Sequence, residues 1–239
     1  MSEHDRPEVE QREPLAGPPA APSAAATVFG DHLQRAEQFA SILADTGVSH
    51  GLVGPREVPR LWERHILNCA VAHEAFPDSV RVIDVGSGAG LPGLALAIVR
   101  PDLRISLVEP MLRRTIWLSE TIGALGLGNC TVHRGRAEEF HGDLVAPFAT
   151  ARAVARIDKL ARWTFPLLEQ GGTLVALKGQ QAATELEEER ARLTRMGMVD
   201  SAIRTYGEGL LETPTVTMEL VVRVADRRSK AASRRRRHR

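Results

Sequence analysis

Asp84, Gly86, Gly88, Gly90 and Gly93 stand at intervals that suit a loop wrapped around a nucleotide-like cofactor, because the apolar run Val82-Ile83 ends in an acid and then breaks into alternating glycines. Glycine lets the backbone approach a ligand closely and take a positive φ without a Cβ penalty. Pro92 suits the first turn of a helix, which the apolar stretch Leu94 to Val99 continues. Strand, glycine loop and helix in that order open a nucleotide-binding α/β unit. The spacing Gly88-x-Gly90-x-x-Gly93 also satisfies the dinucleotide fingerprint, so the loop by itself leaves the ligand open.

Its surroundings favour S-adenosylmethionine. The register Asp84-x-Gly86-x-Gly88-x-Gly90 places an acid two residues before the first glycine, the pattern expected of a class I methyltransferase, where a dinucleotide fold more often has an apolar residue. A second strand, Arg104 to Val108, ends at Glu109, about twenty residues past the glycines, where a carboxylate can accept both hydroxyls of a ribose. That feature fits either cofactor. A third strand, Thr131 to Arg134, leads into Gly135-Arg136-Ala137-Glu138-Glu139, where methyltransferases hold adenine with a backbone amide and a small acidic loop.

The elements that must carry these residues fit one ordinary domain with appendages, which 239 residues can supply together with a full core. Residues 1–26 are Ala-, Pro- and Glu-rich and read as a disordered tail. Residues 27–225 read as a single methyltransferase domain whose first part, 27–76, is a helical cap, and 226–239 as a basic disordered tail. In the cap, Leu33, Ala36, Phe39, Ile42 and Leu43 recur at helical spacing behind Asp31 as N-cap, with Gly47 as the stop; Val58, Leu61, Trp62, His65, Ile66 and Cys69 form a second face with Pro59 in its first turn. Farther on, Ala149 to Ala155 reads as a buried strand carrying Arg152, Asp158 caps a helix through Leu168, Gly171-Gly172 turns into the strand Thr173 to Leu177, and Ala182 to Arg195 is a charged helix. Met198 to Tyr206 and Thr215 to Val224 have no helix between them and should pair as an antiparallel hairpin at one sheet edge. The expected class is therefore α/β: a Rossmann-like, mostly parallel sheet with an antiparallel C-terminal hairpin, in the manner of class I methyltransferases.

Charge is uneven. The last fourteen residues carry +7 against a formal total of +1, so residues 1 to 225 carry −6. A basic tail suits a polyanionic partner or, equally, a solubilising terminus. Cys69 and Cys130 match no metal or redox spacing and read as buried thiols; no metal site is expected. No apolar run is long enough to span a membrane and the N-terminus does not read as a secretory signal, so a cytoplasmic protein without membrane contact is expected.

Three strings in order, Trp62-Glu63-Arg64-His65-Ile66-Leu67-Asn68, then Asp84-Val85-Gly86-Ser87-Gly88-Ala89-Gly90-Leu91-Pro92-Gly93, then Leu177-Lys178-Gly179, resemble the RsmG (GidB) family over about residues 30 to 225. Asn68 stands where an Asp is more usual, and Glu109 where other members carry Asp; neither change removes a needed functional group. The resemblance implies S-adenosylmethionine as cofactor and methylation of N7 of one guanosine, position 527, in 16S rRNA, with the small ribosomal subunit or its RNA as partner. It implies that Gly86, Leu91, Ala137, Glu138 and Arg152 line the cofactor site. Asp84, Ser87, Gly88, Gly90 and Glu109 join that set from their places in the loop and at the strand end.

Guanine N7 carries an in-plane lone pair and loses no proton when it attacks a sulfonium methyl, so no catalytic acid or base is expected and the site should act by positioning. His65 on an apolar helical face reads as a packed residue. In A-form RNA the major groove is too deep and narrow for side chains, so the target must lie in a loop, bulge or junction. Arg136, Arg152, Lys178 and the run Arg234, Arg235, Arg236 and Arg237 are the expected RNA contacts, with Arg64 a lesser one. With 4 % aromatic residues an extensive stacking platform is not expected, and Trp117 and Trp163 read as core. A monomer is expected. A methyltransferase for another RNA or a small molecule, and a non-enzymatic RNA-binding protein, are the competing readings.

Overall fold

The computed structural model describes residues 17–152 and 155–223. Seven strands form one sheet: β1 (Arg81–Val85), β2 (Arg104–Glu109), β3 (Cys130–Arg134), β4 (Ala146–Arg152), β5 (Leu168–Lys178), β6 (Met198–Tyr206) and β7 (Thr215–Val222), in the order β3-β2-β1-β4-β5-β7-β6. The first five are parallel, and β7 runs antiparallel to both β5 and β6. Central strands of such a sheet are covered on both faces and so read as continuous apolar runs. Val82, Ile83 and Val85 are all buried, as are Leu174 to Leu177.

The chain leaves β1 outward through β2 and β3, then returns to the other side of β1 with β4. At that reversal the connections diverge and leave a crevice outside the C-terminal strand ends. The sheet topology thereby brings Gly86, Glu109, Gly135, Arg152 and Lys178 to one rim.

Helices cover both faces. On one side pack α1 (Ser23–Phe29), α2 (Leu33–Ile42), the winding from Pro55 through α3 (Asn68–Ala70) to Ala75, α4 (Gly93–Val99) and α5 (Leu112–Leu125). On the other side lie α6 (Ile157–Thr164) and α7 (Ala182–Met196). Alternation along β5 serves both cores: Val175 and Leu177 join the first, Leu174 and Ala176 the second.

Several local expectations are corrected. The boundary at residue 27 falls inside α1, where Ala25 is fully buried, and the Trp62 indole donates to the Pro19 carbonyl at 2.9 Å. Asp31 makes no cap: it lies in a 3₁₀ turn, and α2 starts at Leu33. Gly47 does not stop that helix, which loosens into a π turn at Leu43–Gly47; the chain turns off at Gly51, whose φ is +66°. Asp158 sits inside α6, and the free Ile157 N–H donates instead to the Glu185 carboxylate at 2.7 Å. Gly171-Gly172 does not precede β5 but lies within it. The C-terminal hairpin forms, yet only β6 is the edge, since β7 inserts between it and β5. Cys69 is buried but Cys130 only half-buried. Among the described residues no helix is long and apolar enough to cross a membrane.

Candidate functional site

The glycine loop is held from both sides. Gly86 and Ser87 N–H donate to the Val108 carbonyl at 2.8 and 3.2 Å, which ties the loop to the end of β2. Gly86, Gly88 and Gly90 all take positive φ, at 74°, 54° and 76°, the region where a side chain is strained. Gly93 is needed for a different reason: a Cβ there would overlap Leu107 and stand 2.6 Å from Asp84 Oδ2, so its absence lets α4 start directly against β1.

Asp84 is fully buried. Its Oδ2 accepts the Gly93 N–H at 3.1 Å, its main-chain carbonyl accepts the Ser87 hydroxyl at 3.0 Å, and Oδ1 has no partner among the described residues. Burial pushes its carboxyl up to about 7. Leu91 in the loop is also buried.

Glu109 is 2 % exposed, and both of its oxygens are used: Oε2 accepts the Gly88 N–H at 3.1 Å and Oε1 the Met111 N–H at 2.9 Å. Arg114 Nη1 lies 3.7 Å from Oε2. The carboxylate faces a cavity of about 280 Å³ bounded by Gly86, Met111, Ala137, Glu138 and Trp163 among others. Each carboxylate oxygen has more than one acceptor site, so ribose hydroxyls can be accepted beside the two amides. Apolar walls at Met111, Ala137 and Trp163 suit a flat base. Trp163 is thus corrected from core to half-buried cavity wall, with the Lys159 ammonium 5.0 Å from its ring centre, whereas Trp117 is core as expected. Met111 and Arg114 were missed; their signal was position, just past the acid that ends β2. These residues fit the adenosine half of S-adenosylmethionine, and the unpaired Asp84 oxygen leaves a buried acceptor near the loop.

Toward the cap, Arg152 at the end of β4 donates to the Arg64 carbonyl at 3.2 Å and to His65 Nδ1 at 3.3 Å. His65 Nε2 in turn lies 2.9 Å from Glu57 Oε2. Arginine only donates, so Nδ1 accepts and the Nε2 proton goes to Glu57. Burial holds His65 below the ordinary histidine value, and the Glu57 hydrogen bond opposes that only partly. His65 is packed between partners, as expected.

Lys178 departs from its expected role. Its ammonium donates to the Ala155 carbonyl at 3.1 Å and pairs with Glu185 at 3.1 Å, where only 14 % of the side chain is exposed. It ties β5 to α7 and to the turn ahead of α6 instead of presenting a free charge. Arg136 is exposed at the rim of the Glu109 cavity, with its N–H donating to Glu139 at 2.9 Å. Arg234, Arg235, Arg236 and Arg237 lie outside the described residues. A second cavity of about 490 Å³ opens between the cap and the β5 and β7 ends. A third, of about 450 Å³, sits at the opposite ends of the strands, away from the glycine loop.

Sheet order, glycine loop and the acid that ends β2 define a class I S-adenosylmethionine-dependent methyltransferase. Solved structures agree on the fold: the M. jannaschii TYW2 structure in complex with AdoMet superposes with a TM-score of 0.54 at 17% identity over 69% of this chain and 78% of that one. SibL, described as an S-adenosylmethionine-dependent methyltransferase, gives 0.51 at 15% identity over 79% and 58%. A family model described as rRNA small subunit methyltransferase G matches residues 32–213. The protein named ribosomal RNA small subunit methyltransferase G from Thermobifida fusca (strain YX) is 52% identical over 84% of this chain and 85% of its own. Its namesake from Streptomyces coelicolor is 51% identical over 90% and 93%. The chain belongs to the rRNA small subunit methyltransferase G family.

Proposed function

We propose that this enzyme transfers a methyl group from S-adenosylmethionine to N7 of guanosine 527 of 16S rRNA, in the cytoplasm and as a monomer, through one catalytic domain with an N-terminal helical cap. The observation that carries the reading is the pairing of two cavities along one strand-end rim: one apolar-walled with the buried Glu109 carboxylate, the other lined by arginines, carboxylates and amides, with Arg152 between them. S-adenosylmethionine, when bound, supplies an electrophilic methyl on a positively charged sulfur.

The chain's own residues hold and orient. Glu109 accepts from the ribose, the backbone of Gly86, Ser87, Gly88, Gly90 and Leu91 shapes the methionine side, Ala137 and Glu138 border the adenine, and Asp84 fixes the start of α4. Arg152 offers a guanidinium to a carboxylate or phosphate from a position set by Arg64 and His65. No residue is assigned a proton transfer: N7 attacks through its lone pair, and both nitrogens of His65 are already engaged. Catalysis then comes from holding nucleophile, methyl and sulfur in line. The basic residues 227–239 add long-range attraction to RNA, which salt screens.

The test is methyl transfer from labelled S-adenosylmethionine to small-subunit particles and to naked rRNA from cells lacking the protein, followed by nucleoside analysis. Label in 7-methylguanosine, lost in Glu109→Ala, is the expected result. Label in another nucleoside, or no transfer by a protein that binds the cofactor, overturns the reading.

A further inference from the structure

The cavity of about 490 Å³ between the cap and the ends of β5 and β7 is lined by Arg60, Glu63, Arg64, Asn68, Gln180 and Glu212, among others. Arg152 adjoins it on β4, the strand between β1 and β5: it donates to the Arg64 carbonyl and stands opposite Leu177, the residue before Lys178, in the β4–β5 register. Its size falls within the ~300–1,000 Å³ of small-molecule sites, enough for a nucleotide swung out of its stack.

Lys178 also lines the cavity but is paired with Glu185; most of the other charges there are unspent. Arg60, Glu63 and Glu212 have no hydrogen-bond or ion-pair partner among the described residues, and all three are exposed. Arg64 is 59% exposed, with Glu57 at 3.7 Å as its one ion-pair partner among them. Arginines facing a polyanion need no explanation, but two free carboxylates do. Beside RNA they repel phosphate unless they accept hydrogen bonds from it. Guanine provides those donors: its N1–H and exocyclic N2–H₂ lie side by side on the Watson–Crick edge, a pair that adenine lacks, and a carboxylate meets both at once. The opposite edge, with acceptors N7 and O6, stays open toward the cofactor.

We propose that this cavity receives the acceptor nucleotide, with Arg60 and Arg64 holding RNA phosphate and the carboxylates of Glu63 and Glu212 reading the Watson–Crick edge of guanine. The inference rests on guanine N7 being the methyl acceptor and deepens that reading. Asn68 and Gln180 add side-chain donors that suit O6 or a ribose hydroxyl.

The experiment uses the sign of the electrostatics. Glu63→Gln, Glu212→Gln and the double variant keep the shape and remove negative charge. If the carboxylates merely face the RNA, their loss reduces repulsion, and kcat/KM on small-subunit particles rises or stays unchanged. If they read guanine, kcat/KM falls by roughly 10- to 100-fold in the double variant, the single variants sorting which carboxylate contributes, while cofactor affinity measured by calorimetry is unchanged. Arg60→Ala with Arg64→Ala should weaken binding and flatten its salt dependence by about 0.7 for each phosphate no longer neutralised. A double glutamine variant within twofold of wild type or faster overturns the proposal alone, provided wild type makes 7-methylguanosine. A wild-type product other than 7-methylguanosine overturns the function reading and this one together.

Discussion

On the β2 side of the crevice Glu109 is buried with a backbone amide on each oxygen, whereas on the β5 side Arg60, Glu63 and Arg64 stand in solvent with at most one partner at 3.7 Å. The first arrangement suits a small cofactor of constant shape: its recognition groups are held in place before the ligand arrives, so little ordering entropy is lost on binding. The second suits a large polyanion, whose attraction is long-ranged and whose docking can order exposed side chains. Between them Arg152 belongs to both, since it leaves the rigid sheet but takes its direction from the cap.

The largest effect should come from breaking the buried side. Glu109→Ala leaves the Gly88 and Met111 amides without their acceptor, at about 1–3 kcal/mol for each group that stays buried and unsatisfied. Calorimetry should show a lower Tm and a loss of cofactor binding. Cofactor affinity within twofold of wild type would show that the carboxylate only supports the loop, and would erase the contrast between the two sides.

Next comes the junction. His65 is held neutral by burial, and Glu57, Arg64 and Arg152 are the charged groups that face it. Its folded value lies below the unfolded one, so the stability it contributes is present above pH 6.5 and is lost as pH falls through the lowered value. Protonation at Nδ1 would also set a positive charge against Arg152. The expected profile is a flat kcat/KM above pH 6.5 and a fall below it, with the single-turnover rate at saturating substrates unchanged; His65→Asn should lower kcat/KM by roughly 10- to 100-fold. A single-turnover rate that titrates steeply in wild type but not in His65→Asn would instead make this histidine a proton-transfer group.

The effect on activity is smallest at Asp84, whose signature lies in stability instead. Its carboxyl titrates at about 7 when folded, against 3.8 as the ordinary value, because burial penalises the charged form. The folded state therefore binds more protons between those values, so stability falls as pH rises from about 4 to 7 and levels off above. Thermal melts of Asp84→Asn should lack that slope and gain on wild type across the interval. Parallel curves for the two proteins would mean that the buried acid does not titrate there, and that the loop side carries no charge penalty of its own.

Much of the cofactor side could be read from the chain because its information is local. Glycines at fixed steps dictate backbone conformation, and an acid at a strand end about twenty residues on is placed by the parallel βαβ geometry itself. The hairpin was equally local, as two strand patterns without a helix between them. Where β7 would go was not: its insertion beside β5 depends on α7 carrying β6 one strand farther out. Helix ends failed for the same reason. Asp158 has the residue type of a cap, yet the Ile157 amide found Glu185 on another helix.

By itself, then, the sequence determined the strand, the glycine loop and the helix after it, the acid that ends β2, and a strongly basic C-terminal end. Only the tertiary structure decided that Lys178 is consumed by Glu185, that Trp163 walls a cavity, that Arg152 is aimed by His65, and that Arg60, Glu63, Arg64 and Glu212 share one cavity. Backbone conformation follows from neighbours a few residues away, whereas the partner of a long charged side chain is whatever group the packing brings within about 3 Å: Glu185 lies 7 residues from Lys178, and His65 lies 87 from Arg152.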